Sequence, residues 1–326
     1  MARITEDASI GEQFKLRPKV VSWERLWTFS GGPFGRVMNA DTKEIAGGWP
    51  VSNIHTDLAF AKSCGLPKVA ASATQFQGYV VELMIELFGP EWLTYGRLDT
   101  KFINLVDAGD ILVTTGQVQS KEAQGDGTRF MLNVDCENQE GEKVLVGWAS
   151  GCTGKAPPAG PEEYRNRLAE LRADDRIQKA EARQGQLAPL EYVVTPELNQ
   201  QYCYGEEDFS PIYIKETEFG LPIAHPGLIL NWSNGTRSPS FARGGPGKEG
   251  GVHTQDEAFW YRPARVGKRL RVTWPSDFSG TYQTRGRTYS ISETLVVDED
   301  GREIVRRLSR NTLAATPEEP YQKRTE

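Results

Sequence analysis

The sequence predicts an α+β protein built from two similar units in tandem, on the basis of three observations. In the first half, one long helix-like segment is followed by four strand-like segments. The second half repeats this order at nearly constant spacing, and the tripeptide GLP occurs at 65–67 and again at 220–222. A highly charged segment separates the two halves. A chain of 326 residues is long enough for both units.

Helical periodicity predicts the central helix of the first unit within VAASATQFQGYVVELMIELFG, residues 69–89. Its first residues are small, which suggests that this end approaches another group closely. A shorter helix is expected just before it, because Thr56 or Asp57 can act as an N-cap and Gly65 can end the helix. Residues 10–30 are expected to form a strand and then a short aromatic helix.

Four segments after the central helix alternate apolar and polar residues, as antiparallel strands do. The segments GDG and QEGEK supply hairpin turns between them. The strands are LDTKFINLV, DILVTTGQVQSKEA, TRFMLNVDCENQ and KVLVGWASGC.

The repeat sets the expected unit boundaries. GLPKVAASATQ at 65–75 matches GLPIAHPGLIL at 220–230, and TRFMLNVDCENQEGEKVLVGWAS matches RTYSISETLVVDEDGREIVRRLS. We expect a first unit over 1–155 and a charged, exposed and helical linker over 156–190. A second unit should span 191–315, and a flexible tail 316–326.

Composition limits the classes of function. The net charge of −6 disfavours nucleic acid as a partner, because binding phosphates needs a basic face. No apolar run approaches the roughly 18 residues that span a membrane, and the polar N-terminus does not resemble a signal peptide. The four cysteines have no metal-type spacing and are expected to be reduced thiols of a cytoplasmic protein. We expect no metal and no nucleotide cofactor, since no P-loop, dinucleotide fingerprint or HExxH motif is present.

The order of IHTD, GLP, a central helix and a strand series resembles the MaoC-like (R)-specific enoyl-CoA hydratase and dehydratase family. The resemblance covers most of the chain, twice, and implies a tandem, or double, hotdog fold. In that fold each unit is a long central helix wrapped by an antiparallel sheet. The family's box, Asp-x-Asn-Pro-Ile/Leu-His, is incomplete in both halves. Pro50 stands at the aspartate position of the first box, and Tyr213 at the histidine position of the second.

The resemblance implies a hydro-lyase that adds water to an enoyl thioester, with coenzyme A as the expected carrier. Such a reaction needs a base to deprotonate water and an acid to protonate C2. The candidate acid–base residue is His55, which also has a structural interpretation as part of the helix entry. In the second half the candidates are Asp208, Tyr213 and His225, although this half could also be a degenerate unit kept for its fold.

The expected substrate-binding residues surround His55. Ser52 and Asn53 could position water, or could make ordinary loop hydrogen bonds. The small residues Ala71 and Ser72 could bring a thioester carbonyl close to the backbone N–H groups at the helix start. The missing aspartate suggests an unusual substrate, such as an acyl-CoA with its own carboxylate.

Other interpretations stay open at this point. Glu82 on the central helix fits a hotdog thioesterase, and a single histidine could serve an isomerase or cyclase. A non-catalytic ligand-binding or partner subunit is a third alternative. The cations Arg262, Arg265 and Lys268, with Arg269 and Arg271, could bind the phosphates of coenzyme A or line a solvated face. Further homodimerisation is expected, since hotdog units normally pair across their sheets.

Overall fold

A computed structural model describes most of the chain, namely residues 4–31, 54–154, 160–179, 189–220, 222–233, 250–275 and 279–315. Its helices are α1 Trp23–Gly31, α2 Leu58–Ser63, α3 Ala73–Phe88, α4 Glu162–Ala173, α5 Pro196–Glu206 and α6 Pro226–Trp232. Two 3₁₀ helices span Pro90–Thr94 and Pro211–Tyr213. The expected tail, 316–326, lies outside the described residues.

Thirteen strands are described. They are β1 Gln13–Lys15, β2 Lys19–Val20, β3 Arg97–Phe102, β4 Ile111–Gln124, β5 Gly127–Glu137, β6 Lys143–Cys152, β7 Gln178–Lys179, β8 Leu190–Val193, β9 Gly250–Trp260, β10 Arg269–Thr273, β11 Ser279–Thr284, β12 Arg287–Asp298 and β13 Glu303–Ala315. The predicted helix at 69–89 and the four predicted strands of the first half are therefore present with small changes at their ends.

One antiparallel sheet joins the two halves, in the order β1-β4-β5-β6-β3-β9-β13-β12-β10-β8. The junction is the pair β3 and β9, in which Leu98 lies opposite Ala258 and Thr100 opposite Asp256. Each half contributes the strand that follows its own central helix, as expected of two pseudo-symmetric units. This arrangement is the predicted α+β double hotdog fold.

The helix α3 forms the centre of the hydrophobic core. Only Ala73 and Glu86 among its sixteen residues are less than fully buried, because the helix packs on β4, β5 and β6 and also contacts α6. Its polar residues Gln75 and Gln77 are buried with hydrogen bonds to Gly205 and Asp256. A helix that is buried on all sides is normally apolar around its whole circumference. The polar Gln75 and Gln77 of α3 therefore need hydrogen-bond partners, and the second half supplies them.

Backbone hydrogen bonds define how the two units superpose. Ala70 donates to Ile54 at 3.2 Å, and Ile223 donates to Ile212 at 2.8 Å. Ala71 likewise donates to Val106 and Ala224 to Ala264. Ala70 therefore corresponds to Ile223 and Ser72 to His225. The sequence alignment that pairs the two GLP tripeptides is wrong by two residues at the helix start, because the first half has two more residues there.

The predicted linker contains α4, and one face of this helix is buried. Tyr164, Leu168 and Leu171 pack against Phe259, Ile291 and Leu308 on the outer surface of the sheet. Ion pairs add to this contact, since Arg167 Nε lies 2.6 Å from a carboxylate oxygen of Glu257. The expectation of a merely exposed connecting helix was wrong, because its three large apolar residues lie on one side and are buried.

Candidate functional site

His55 lies in the turn before α2, and its imidazole is held by the backbone. Asp57 caps α2 by accepting a hydrogen bond from Phe60 N at 3.0 Å, and the left-handed Gly65 follows the helix. His55 Nδ1 lies 2.6 Å from the carbonyl oxygen of Ala70. A carbonyl only accepts, so Nδ1 carries the proton and Nε2 carries the lone pair. Burial lowers the pKa of His55 below its ordinary value, although the Ala70 carbonyl opposes this shift.

The N-cap of α3, Ser72, lies two residues beyond Ala70, and backbone donors at this helix start lack acceptors among the described residues. The first N–H groups of a helix have no intrahelical acceptor. Among the described residues, the backbone N–H groups of Ser72, Ala73 and Thr74 have no hydrogen-bond acceptor. Ser72 Oγ contacts Thr74 Oγ1 at 2.9 Å and does not cap the helix. Three donors and the positive end of the helix dipole therefore begin two residues along the chain from the carbonyl that holds His55.

The predicted binding residues divide into three groups. Ala71 cannot offer its N–H to a ligand, because this group donates to Val106 O at 2.8 Å; what it contributes is a small side chain. The donors begin at Ser72 and include Ala73 and Thr74, which sequence reasoning did not select. Ser52 and Asn53 lie outside the described residues.

The three candidates of the second half lie together. His225 Nε2 is 3.6 Å from Asp208 Oδ2, and the Tyr213 and His225 rings have centroids 4.6 Å apart. All three side chains are buried. Burial alone raises the pKa of Asp208, but His225 and Lys19 lower it to a net value below the ordinary range. Burial raises the pKa of Tyr213 well above its ordinary range, so its hydroxyl stays protonated.

The second helix start differs from the first because its donors are occupied. Gly227 N donates to His225 Nδ1 at 3.1 Å, and His225 N donates to Asn199 Oδ1 at 2.6 Å. Pro226 has no N–H, and Leu228 N donates to His225 O. The start of α6 therefore has no free backbone donor for a substrate carbonyl.

A buried charged cluster connects the two halves behind Asp208. Lys19 pairs with Glu82 of α3 and donates to the backbone oxygen of Glu206 at 2.7 Å. Glu206 is fully buried, and neither of its carboxylate oxygens has a hydrogen-bond partner among the described residues. Burial raises the pKa of Glu206 well above its ordinary value, with smaller contributions from Lys19, which opposes the shift, and Asp208. Sequence reasoning missed Lys19 and Glu206, since the residues that surround them are far away in the chain.

The engagement of Glu82 bears on the thioesterase interpretation. Burial raises the pKa of Glu82 although Lys19 opposes the shift, and the carboxylate points to Lys19 rather than outward. A thioesterase would need that carboxylate beside the substrate.

Three of the predicted basic residues, Arg262, Arg265 and Lys268, border a surface cavity of about 310 Å³. Its lining also includes Asp298, Glu299 and Asp300. Lys268 lies 2.6 Å from Glu299, and Arg269 and Arg271 each lie 3.7 Å from Glu191. Most of these cations are thus paired with carboxylates, which favours the interpretation as a solvated face.

Two classes of feature are absent from the part of the chain that the structure describes. No group of three or more His, Cys, Asp or Glu side chains there has the geometry of a metal site. None of the described helices combines the length and apolar character needed to cross a membrane.

Comparison with known proteins supports the fold. No protein-family model matches the chain, and no curated protein matches its sequence. Among solved structures, a protein described as a MaoC domain dehydratase from Chloroflexus aurantiacus is similar, with a TM-score of 0.63 at 14% identity. That match covers 95% of this chain and 97% of the other. A hypothetical protein from Mycobacterium tuberculosis with a double hotdog fold has a TM-score of 0.58 at 12% identity, covering 94% and 97% of the two chains.

A third similar structure is the peroxisomal multifunctional enzyme type 2 from Drosophila melanogaster. It has a TM-score of 0.51 at 17% identity, and the match covers 92% of this chain but 48% of that one. The chain therefore has the double hotdog fold, and its structural neighbours include MaoC-like dehydratases. At these identities the similarity extends to the fold alone.

Proposed function

We propose that the protein is a hydro-lyase that reversibly hydrates an enoyl thioester, with coenzyme A as the carrier, at the start of α3. The observation that carries this proposal is the contact between His55 Nδ1 and the Ala70 carbonyl. This contact sets the His55 tautomer, with the lone pair on Nε2, and ties the ring to Ala70, two residues before the backbone donors of Ser72, Ala73 and Thr74. A base and an oxyanion hole are the two groups that this reaction needs.

In the proposed mechanism, the thioester carbonyl accepts hydrogen bonds from Ser72, Ala73 and Thr74. Nε2 of His55 removes a proton from water as the water oxygen forms a bond to C3. The π electrons of C2=C3 move to the thioester, where the backbone N–H groups stabilise the enolate oxygen. The imidazolium then delivers its proton to C2, which completes the addition of water and restores the base. One such donor contributes roughly 3 kcal/mol of transition-state stabilisation.

The second half has a supporting role in this proposal. His225 already uses Nδ1 to accept a hydrogen bond from Gly227 at the start of α6. Taking up a second proton would break that bond. With no free backbone donor at this helix start, Asp208, Tyr213 and His225 stabilise the second unit and its contact with α3, and do not form a second active site.

The proposal is tested by measuring the hydration of a panel of enoyl-CoAs, both straight-chain and carboxylated. The rates of wild type and of His55→Gln are compared. We expect a loss of at least 100-fold in kcat/KM, which corresponds to about 2.7 kcal/mol in the barrier. The exposed Lys62→Ala variant on α2 serves as a matched control and should keep full activity. Circular dichroism verifies that the fold of each variant is intact.

Three results would contradict the proposal. Full activity of His55→Gln would move the chemistry to Asp208 and His225. If the folded wild type hydrates no member of the panel, the hydratase proposal fails and the ligand-binding interpretation replaces it. Release of free CoA, measured with a thiol reagent, would instead favour the thioesterase interpretation.

A further inference from the structure

His253 is a buried polar side chain that makes no hydrogen bond to any described residue, and it lies outside the site described above. It is 8% exposed. Apart from Asp256 Oδ1, which is 3.7 Å from Nε2, neither ring nitrogen has a polar partner among the described residues. Leaving a buried donor or acceptor unpaired costs about 1–3 kcal/mol, so such a group calls for an explanation.

A β-bulge turns His253 toward the interior. In a regular strand, residues three apart point to opposite faces. In β9, however, Gln255 lies opposite Arg310 and His253 lies opposite Asn311, so Thr254 is an extra residue. His253 and Asp256 consequently share the buried face, while Thr254 and Gln255 are only half-buried. Bulges of this kind re-aim a side chain, and they occur often beside functional sites.

The carboxylate next to His253 is held by several hydrogen bonds. Asp256 is fully buried and accepts hydrogen bonds from Arg307, from Ser309 at 2.7 Å and from Gln77 at 2.9 Å. Although burial alone raises the pKa of Asp256, Arg307 and His253 lower it to about 2. Arg307 also donates to the carbonyl oxygen of Leu230 at the end of α6. Asp256 is therefore a fixed anion that is already neutralised by Arg307.

The position of His253 connects it with the start of α3. Its ring centroid lies 4.9 Å from that of Phe102, which in turn packs edge to face on Phe76 of α3. The chain continues from Phe102 to Val106, whose carbonyl accepts the Ala71 N–H. Because β9 is antiparallel to β3, going from Asp256 back to His253 follows β3 forward from Thr100 toward Phe102. This direction leads toward the start of α3. His253 is thus a polar group that packs on Phe102, which itself contacts α3 near its start.

We propose that His253 binds a carboxylate carried on the acyl chain of the substrate. In this proposal the acyl chain extends from the start of α3 past Phe76 and Phe102, and its carboxylate pairs with His253. With a carboxylate bound and His253 protonated, the two cations His253 and Arg307 balance the two anions Asp256 and the ligand. Buried charges are tolerated when they are paired in this way. This inference rests on the proposed function for the location of the thioester, and it names the substrate class as acyl thioesters with a second carboxyl group.

Binding of saturated CoA thioesters tests the inference without turnover, because these compounds cannot be hydrated. The probes are succinyl-, glutaryl- and adipoyl-CoA, each compared by calorimetry with the uncharged butyryl-, valeryl- or hexanoyl-CoA of the same length. Wild type should bind at least one carboxylated probe tenfold or more tightly than its uncharged counterpart, a difference of about 1.4 kcal/mol. His253→Leu should abolish that preference and keep the affinity for the uncharged series.

His253→Gln is the matched variant, since its amide still donates a hydrogen bond but cannot take a charge; it should keep part of the preference. No preference in wild type, or a preference that persists in His253→Leu, overturns the inference. Equal weakening of both series in His253→Leu also overturns it, because that result indicates a purely structural histidine. Hydration of enoyl-CoAs without any carboxylate preference leaves the proposed function intact and removes only this inference. Carboxylate-selective binding without hydration would support this inference and overturn the proposed function.

Discussion

The imidazoles of His55 and His225 are held by backbone groups of opposite polarity. Nδ1 of His55 faces the carbonyl oxygen of Ala70 at 2.6 Å, whereas Nδ1 of His225 accepts the N–H of Gly227 at 3.1 Å. The neutral rings therefore have opposite tautomers, with the lone pair on Nε2 in His55 and the proton on Nε2 in His225. His55 can accept a proton without losing its hydrogen bond, and His225 cannot.

The pH dependence of hydration should show the lowered pKa of His55. Burial favours the neutral imidazole, which is the form that acts as a base. We expect kcat/KM to be constant around pH 7 and to fall at acidic pH with an apparent pKa below the ordinary value of about 6.5. Stopped-flow or steady-state rates from pH 5 to 8 measure this limb. An apparent pKa above 7 on the acid side would argue against His55 as the base.

Ala73→Pro should remove one oxyanion donor and leave the fold intact. Ala73 is the first residue of α3, where proline is well tolerated, and its counterpart in α6 is already Pro226. Ser72 has φ −63° and ψ 133°, an extended conformation that a following proline permits. We expect kcat to fall by about 10²–10³-fold. Ala73→Ser keeps the N–H and should be nearly as active as wild type, and equal activity of the proline variant would exclude this donor.

Glu206→Gln should flatten the pH dependence of stability. A carboxyl whose folded-state pKa is raised holds its proton in the native state while the unfolded chain has already released it. Stability then falls by about 1.4 kcal/mol per pH unit as the pH rises from the unfolded value of about 4.5 toward the folded one. Urea denaturation at pH 5, 6 and 7 should show this decline in wild type and a smaller one in Glu206→Gln. Identical slopes would mean that Glu206 is not the buried acid described above.

Gly78→Ala should destabilise the protein although alanine is the better helix former. A Cβ at Gly78 would lie 2.0 Å from Oε2 of Glu206, and one at Gly227 would lie 1.6 Å from Oε1. Overpacking of this kind costs roughly 1–3 kcal/mol. Adding Glu206→Ala makes room, so the double variant should be more stable than the sum of the single changes predicts. A stabilising Gly78→Ala, measured by urea denaturation, would contradict the close approach.

Much of the first half could be predicted because its determinants are local. Helical periodicity predicts α3, and Gly125-Asp126 occupies the tight turn between β4 and β5 as the sequence indicates. The N-cap role of Asp57 is equally local. Each of these features depends on side chains and backbone groups within a few residues of one another, where spacing along the chain equals proximity in space.

The contact between Asp208 and His225 illustrates what could not be predicted. Neither box contains a complete Asp–His pair, and the partner of Asp208 comes from the start of α6, 3.6 Å away in space. The pairing of Lys19 with Glu82 and the bulge that turns His253 inward are of the same kind. The number of residues between two elements does not define how the elements are oriented, and the orientation decides which of their side chains meet.

The sequence by itself determined the class of fold, the repeat, the candidate histidine His55 and the helix beside it, because hydrophobic period and turn residues act over short distances. Only the tertiary structure decided which helix start has free donors, which nitrogen of each histidine carries the proton, and that Ser72 corresponds to His225. The free donors and the correspondence depend on hydrogen bonds that Val106, Ala264 and Asn199 accept, and the two tautomers depend on the Ala70 carbonyl and the Gly227 N–H. Such bonds form only when the wrapping sheet brings distant segments together, and burial then makes each unpaired or ionised group costly enough to select one arrangement.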